Sequence, residues 1–129
     1  MSSEEKEVQI HCIKAEKSLM NLTQGLQATI NYPDSIKIIA LQLGTEQVRM
    51  KTVILEMLGA VCFVPPNGHQ LVLEAMQYYK EKKTEKFRFE TIMSTLASLQ
   101  DNYAPADMEY MVNLEKFFLA GFLVQRLLA

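Results

Sequence analysis

The chain has 129 residues and a mass of 14.7 kDa, room for one domain. Hydrophobic residues make up 49% and charged residues 22%, which argues against a disordered chain. Lys and Arg number 13 against 15 Asp and Glu, a net charge of −2, so no nucleic-acid partner is expected.

Cys12 and Cys62 both lie in apolar helical patterns. Two cysteines do not make a secreted disulfide framework, and both are expected to be reduced core thiols of a cytoplasmic protein. The N-terminus, Met1 to Glu7, is too polar and acidic for a signal peptide. The longest apolar run, Phe117 to Val124, is interrupted by Gln125-Arg126 and falls well short of the roughly 20 residues that span a bilayer. No membrane span is expected.

The elements follow in chain order. Val8, Cys12, Ala15, Leu19 and Leu22 recur at steps of three and four and predict a first helix over Glu4–Asn21. Its early Glu4, Glu5 and Glu7 suit the positive end of a helix dipole. A short helical turn is expected from Thr23 to Ile30. Pro33 opens a helix reaching Leu43, with Ile36, Ile39, Ala40 and Leu43 buried. Gly44 ends it, and Thr45 is expected to cap a long helix to Val64. The second half of that helix is apolar nearly all round, which predicts a central position.

Pro65-Pro66-Asn67-Gly68 is the strongest turn signal in the chain. A helix over His69–Tyr79 follows, with Val72, Leu73 and Met76 on one face. The charge run Lys80 to Lys86 is read as a solvated helix end, with a basic docking patch as the alternative, since Glu81 and Glu85 dilute its field. Phe87, Phe89, Ile92, Met93 and Leu96 predict a further helix. A polar loop over Ser98–Asp107 and a last helix over Ala106–Leu128 complete the chain. No strand alternation appears, so the fold class is all-α.

A weak internal repeat supports a solenoid. Leu19 to Gly25 aligns with Cys62 to Gly68, an offset of 43 residues, within the period of armadillo and HEAT units. Both segments end a helix, turn, and open another after glycine. This favours an α-solenoid over a four-helix bundle.

The residues supply no catalytic set. His11 and His69 have no metal-ligand spacing with either cysteine, and no glycine-rich phosphate loop is present. Eight methionines read mainly as core filler. Neither enzymatic activity nor a cofactor nor a metal is expected. A short helical solenoid of this kind is expected to bind a partner, and its grooves accept amphipathic helices.

Several segments resemble the regulatory region of formins, the GTPase-binding and third formin-homology domain. Lys17-Ser18-Leu19-Met20-Asn21 and Gly25-Leu26 resemble its first armadillo repeat. Leu55 to Val64, Gly68-His69 and Val72-Leu73-Glu74-Ala75-Met76 resemble its second, and Arg88 to Met93 fits the helix that follows. The resemblance covers about Ile10 to Asn113 and is nearer to the Dishevelled-associated and formin-like classes than to the diaphanous class. It implies an armadillo-like solenoid of two to three repeats, here residues 1–113, followed by a divergent apolar helix over 114–129.

The resemblance also implies function. In autoinhibited formins this region binds an amphipathic autoregulatory helix near the formin's own C-terminus, and an activated Rho-family GTPase opposes that contact in the control of actin assembly. The implied groove residues are Lys17, Asn21, Glu56, Met57, Ala60 and Phe63. Met57, Ala60 and Phe63 also fit plain core positions, and Asn21 a helix cap. Glu56 stands where the diaphanous class has a basic residue. Only about ten residues precede the first repeat, so GTPase binding is expected to be weakened or lost. The family's groove asparagine in the helix after Asn113 has no counterpart recognisable in the sequence. The chain therefore reads as a truncated product or an alternative C-terminus, and homo-oligomerisation through residues 114–129 without partner binding is the second reading.

Overall fold

A computed structural model describes the backbone of residues 2–21, 23–64, 66–99 and 105–128, and the side chains of these apart from residues 23, 106, 120 and 122–128. Leu22, Pro65, the middle of the predicted polar loop, and the side chains of Phe122, Leu123 and Val124 lie outside the described residues.

Helix α1 spans Ser3–Met20. Its start is set by a reciprocal cap: Ser2 Oγ accepts from the Glu5 N–H at 3.2 Å, and Glu5 accepts from the Ser2 N–H at 2.9 Å. The expected apolar stripe is corrected here. Val8 and Leu19 are 60% and 61% exposed, and Cys12 is exposed too. The buried side chains are Ile13 and Met20, with Ile10 packed against the core. Stepping by three and four through a helix with apolar residues on several faces picks more than one line, and the neighbours choose between them. Cys12 is therefore no core thiol, whereas Cys62 is buried as expected.

Helix α2 (Thr23–Asn31) leads through Tyr32 into α3 (Pro33–Leu41), which opens with proline in its first turn as predicted. A single 3₁₀ turn, Gln42–Gly44, follows. Ile36, Ile39, Ala40 and Leu43 are all buried. Helix α4 spans Val48–Cys62, three residues later than Thr45 suggested. The Thr45 hydroxyl accepts from the Gln47 N–H at 3.2 Å, which closes a turn before the helix rather than capping its first residue.

Helix α5 spans Gly68–Lys82 and runs into the charge run beyond its predicted end. Helix α6 spans Glu90–Ser98, later than its predicted start at Phe87, because Phe89 takes a left-handed conformation, φ 74°, that interrupts helical hydrogen bonding. Helix α7 runs unbroken from Pro105 to Leu128, across the boundary expected at Asn113.

Packing makes two layers. Helices α1, α4 and α7 lie side by side, with α4 between the other two, and α3 packs on α5 behind them. Helix α2 links α1 to α3, and α4 also touches α3 and α5. Ile54, Leu55, Leu58 and Val61 of α4 are essentially inaccessible to solvent. Each contributes about 1.5–3 kcal/mol of burial, so α4 is the central helix that its composition predicted. The aligned glycines of the internal repeat also find a common role. A Cβ on Gly25 would meet the Leu19 carbonyl oxygen at 1.9 Å, and one on Gly68 would meet that of Val61 at 2.0 Å. Both glycines let the start of one helix close on the end of the helix before it. This all-α, armadillo-like arrangement is the architecture expected from the sequence.

Candidate partner-helix groove

The exposed ridge of α4 carries three of the residues expected to form a groove. Glu56, Ala60 and Phe63 stand at intervals of four and three, on one stripe of the helix and its C-cap. Ala60 is exposed and Phe63 is 54% exposed, an unusual state for a phenylalanine. A cleft of about 210 Å³ lies between this stripe and α7, with Leu55, Gly59 and Phe117 as its apolar walls. Small residues at 59 and 60 leave its floor low.

Met57 is corrected. It is 2% exposed and belongs to the core cluster. One residue along a helix turns the side chain by roughly 100°, which takes position 57 off the exposed stripe and into the packing behind it.

A polar clamp closes one end of the cleft. Lys17 of α1 forms an ion pair with Glu56 of α4, the two side chains 37% and 31% exposed. Asn113 of α7, 5% exposed, donates from Nδ2 to the other Glu56 oxygen at 2.7 Å. One carboxylate thus ties all three helices of the front layer. The ion pair is open to solvent and is worth at most about 1 kcal/mol. The buried amide matters more, because it loses this acceptor if Glu56 is removed. Asn113 has no counterpart in the sequence-based site. Nothing in its local sequence distinguishes it, and only the stacking of α7 on α4 brings it to Glu56.

Asn21 lies on the other side of the clamp. It caps the C-terminus of α1, its N–H bonding the Lys17 and Leu19 carbonyls. It also lines a second cleft of about 370 Å³ between α1 and α4, together with Lys14, Lys17, Arg49 and Glu56. Glu56 borders both clefts, so they form one surface across the front layer. Of the expected residues, Lys17, Asn21 and Glu56 line one cleft and Glu56, Ala60 and Phe63 the other, while Met57 lies in the core behind them. Among the described residues, no helix is long and apolar enough to cross a membrane.

Comparison with known proteins agrees with this architecture. Residues 1–63, from α1 through the end of α4, match the Diaphanous GTPase-binding Domain family. The chain is 42% identical over 108 residues to Disheveled-associated activator of morphogenesis 2 of Gallus gallus, and 41% identical over 108 residues to Disheveled-associated activator of morphogenesis 1 of Homo sapiens. It is 35% identical over 107 residues to Inverted formin-2 of Xenopus tropicalis. These alignments take in 80–83% of this chain but only 7–10% of the relatives' lengths. With the GTPase-binding family matched from the first helix to the central one, and with formins as the relatives over four-fifths of its length, the chain belongs to the formin regulatory region.

Proposed function

We propose that this chain is a protein-interaction module of a formin regulatory region, working in the cytoplasm on the control of actin assembly by binding rather than catalysis. Its front layer takes an amphipathic helix of the kind formins carry near their C-terminus, and its N-terminal half takes part in recognising a Rho-family GTPase. The observation that supports this reading is the exposed stripe of Ala60 and Phe63 over an apolar cleft, with the Lys17–Glu56–Asn113 clamp at its end. An incoming helix finds apolar anchorage at Phe63 and Phe117, close approach at Gly59 and Ala60, and polar partners at Lys17 and Asn21.

The test is a fluorescence-anisotropy titration of a labelled formin autoregulatory peptide against the wild-type chain and Ala60→Asp. Ala60 is exposed, so the substitution costs the free protein only about 1 kcal/mol through helix propensity and its place near the helix C-terminus. A docked helix buries that charge unpaired, at several kcal/mol. Saturable binding that weakens more than about 100-fold in the variant, with unchanged circular dichroism, supports the groove. Equal binding by both proteins refutes it.

A second reading draws on α7. Met108, Val112 and Leu119 are 58%, 49% and 55% exposed on the side opposite Tyr110, Leu114 and Phe117. Such a face suits self-association, and light scattering that shows a concentration-dependent mass, abolished by Leu119→Lys, would favour it over the groove.

A further inference from the structure

The segment between α5 and α6 places five cations within nine residues: Lys80, Lys82, Lys83, Lys86 and Arg88. Read as a string, its glutamates dilute that charge. The fold disposes of them differently. Glu85 Oε2 accepts from the Thr91 N–H at 2.6 Å, and Glu90 Oε2 accepts from the Lys86 N–H at 2.6 Å. The Glu85 carboxylate is thus held on an N–H of the first turn of α6, where the helix dipole offsets part of its charge, and that of Glu90 is turned back onto the loop backbone. Glu81 takes its hydrogen bond from Gln77.

None of the five cations is paired with a carboxylate among the described residues. Lys82, Lys83, Lys86 and Arg88 are exposed. The Lys82 ammonium lies 5.6 Å from the centre of the Tyr78 ring, which it shares with Lys37 of α3 at 5.4 Å; Lys37 has its own carboxylate partner, Asp34 at 3.9 Å, and is not counted with the five. Among them Phe87 is 55% exposed, next in sequence to Arg88, whose guanidinium lies 5.9 Å from the Phe89 ring. The left-handed Phe89 and the two glutamate hydrogen bonds fix this turn, so Phe87 is held outward rather than folded onto the core.

We propose that this loop is a docking surface for an anionic lipid bilayer. Cations without carboxylate partners meet the negative headgroups, and Phe87 enters the interfacial layer between them. One exposed aromatic ring among exposed cations suits a broad surface better than an extended peptide, which needs successive pockets for its side chains.

The test is co-sedimentation of the full chain with vesicles of phosphatidylcholine and phosphatidylserine at 70:30, beside vesicles of phosphatidylcholine alone, at about 50 mM salt. Each neutralised cation should weaken partitioning about 5-fold, so Lys82→Gln with Lys86→Gln should cost about 30-fold. Phe87→Ser should cost about 5- to 10-fold. Lys6→Gln with Lys14→Gln makes the same charge change on α1 and serves as the control; it should lose less than 3-fold. All these side chains are exposed, and circular dichroism checks that each variant folds. Three results would each overturn the proposal: no binding to the anionic vesicles, equal losses in the loop and control pairs, or indifference to Phe87→Ser. In the last case, competition by inorganic phosphate or RNA would mark the loop as a plain anion site.

Discussion

Two glycine-to-alanine substitutions in the same pair of helices should move stability in opposite directions. At Gly68 the added methyl would sit 2.0 Å from the Val61 carbonyl oxygen and 3.4 Å from Val64 Cβ. Ordinary contact begins near 3.4 Å, so the gap is short by about 1.4 Å. The obstacle is backbone, and it is tied down. Val61 O accepts from the Val64 N–H at 3.1 Å, and Val64 O accepts from the Gly68 N–H at 2.9 Å. Relieving the clash means opening the α4–α5 corner, at about 1–3 kcal/mol for overpacking and about 1 kcal/mol for a weakened hydrogen bond. Against this, alanine gains up to about 1 kcal/mol through helix propensity and a less flexible unfolded chain. No glycine has a positive φ, so no conformational penalty enters. The net loss at Gly68 is about 1–3 kcal/mol.

At Gly59, inside α4, the nearest atom to an added Cβ is Phe117 Cα at 4.0 Å. There the steric cost vanishes and the propensity gain of about 0.5–1 kcal/mol remains. Urea titrations followed by circular dichroism at 222 nm should put Gly68→Ala below wild type and Gly59→Ala above it. At about 4 °C per kcal/mol, the melting temperatures should part by roughly 6–16 °C. A Gly68→Ala protein as stable as wild type would refute the close approach of the two helices, and with it the structural basis of the repeat.

The remaining predictions use the same assays. Glu56→Ala should destabilise by about 1–3 kcal/mol because it orphans the buried Asn113 amide, whereas Lys17→Ala should stay within about 1 kcal/mol; equal effects would contradict the clamp's division of labour. A thiol reagent should label Cys12 in the folded protein at neutral pH, but Cys62 only after unfolding, since burial both shields the Cys62 thiol and pushes its pKa up to about 11. Stability should fall at alkaline pH. Burial raises Tyr110 from about 10 to about 12, so the folded state holds its proton more tightly, and stability present below pH 10 is lost as pH rises through 12. Cys62 begins the same loss near pH 9, and Tyr110→Phe should flatten the fall above pH 10 at the cost of the hydrogen bond to the Ile92 carbonyl.

How far the sequence carries depends on which elements set each position. Helix α3 is legible to its buried residues, because Pro33 opens it and its apolar stripe is single. The repeat is legible because its two glycines answer a local demand that recurs. Helix α1 is not: it has apolar residues on several faces, and α2 and α4 decide that Ile13 and Met20 go inward while Val8, Cys12 and Leu19 stay out. Met57 is misplaced for a related reason. On a helix that is apolar nearly all round, the groove stripe is whichever line no neighbour covers. The late start of α6 rests on a phenylalanine in the left-handed region, which no propensity favours, and Asn113 reaches Glu56 across 57 residues of chain.

Helix α4 touches α1, α3, α5 and α7. In a long solenoid each unit answers only to the next, so the ends fray without disturbing the middle. Here one helix is the common neighbour of both layers. Exchange of its amide hydrogens should therefore require opening of the whole molecule, while α2 and α6 exchange through smaller local openings. A protein recognised along the front ridge of α4 would be held at its most persistent element, so what binds there meets a surface already set rather than one that must be ordered first.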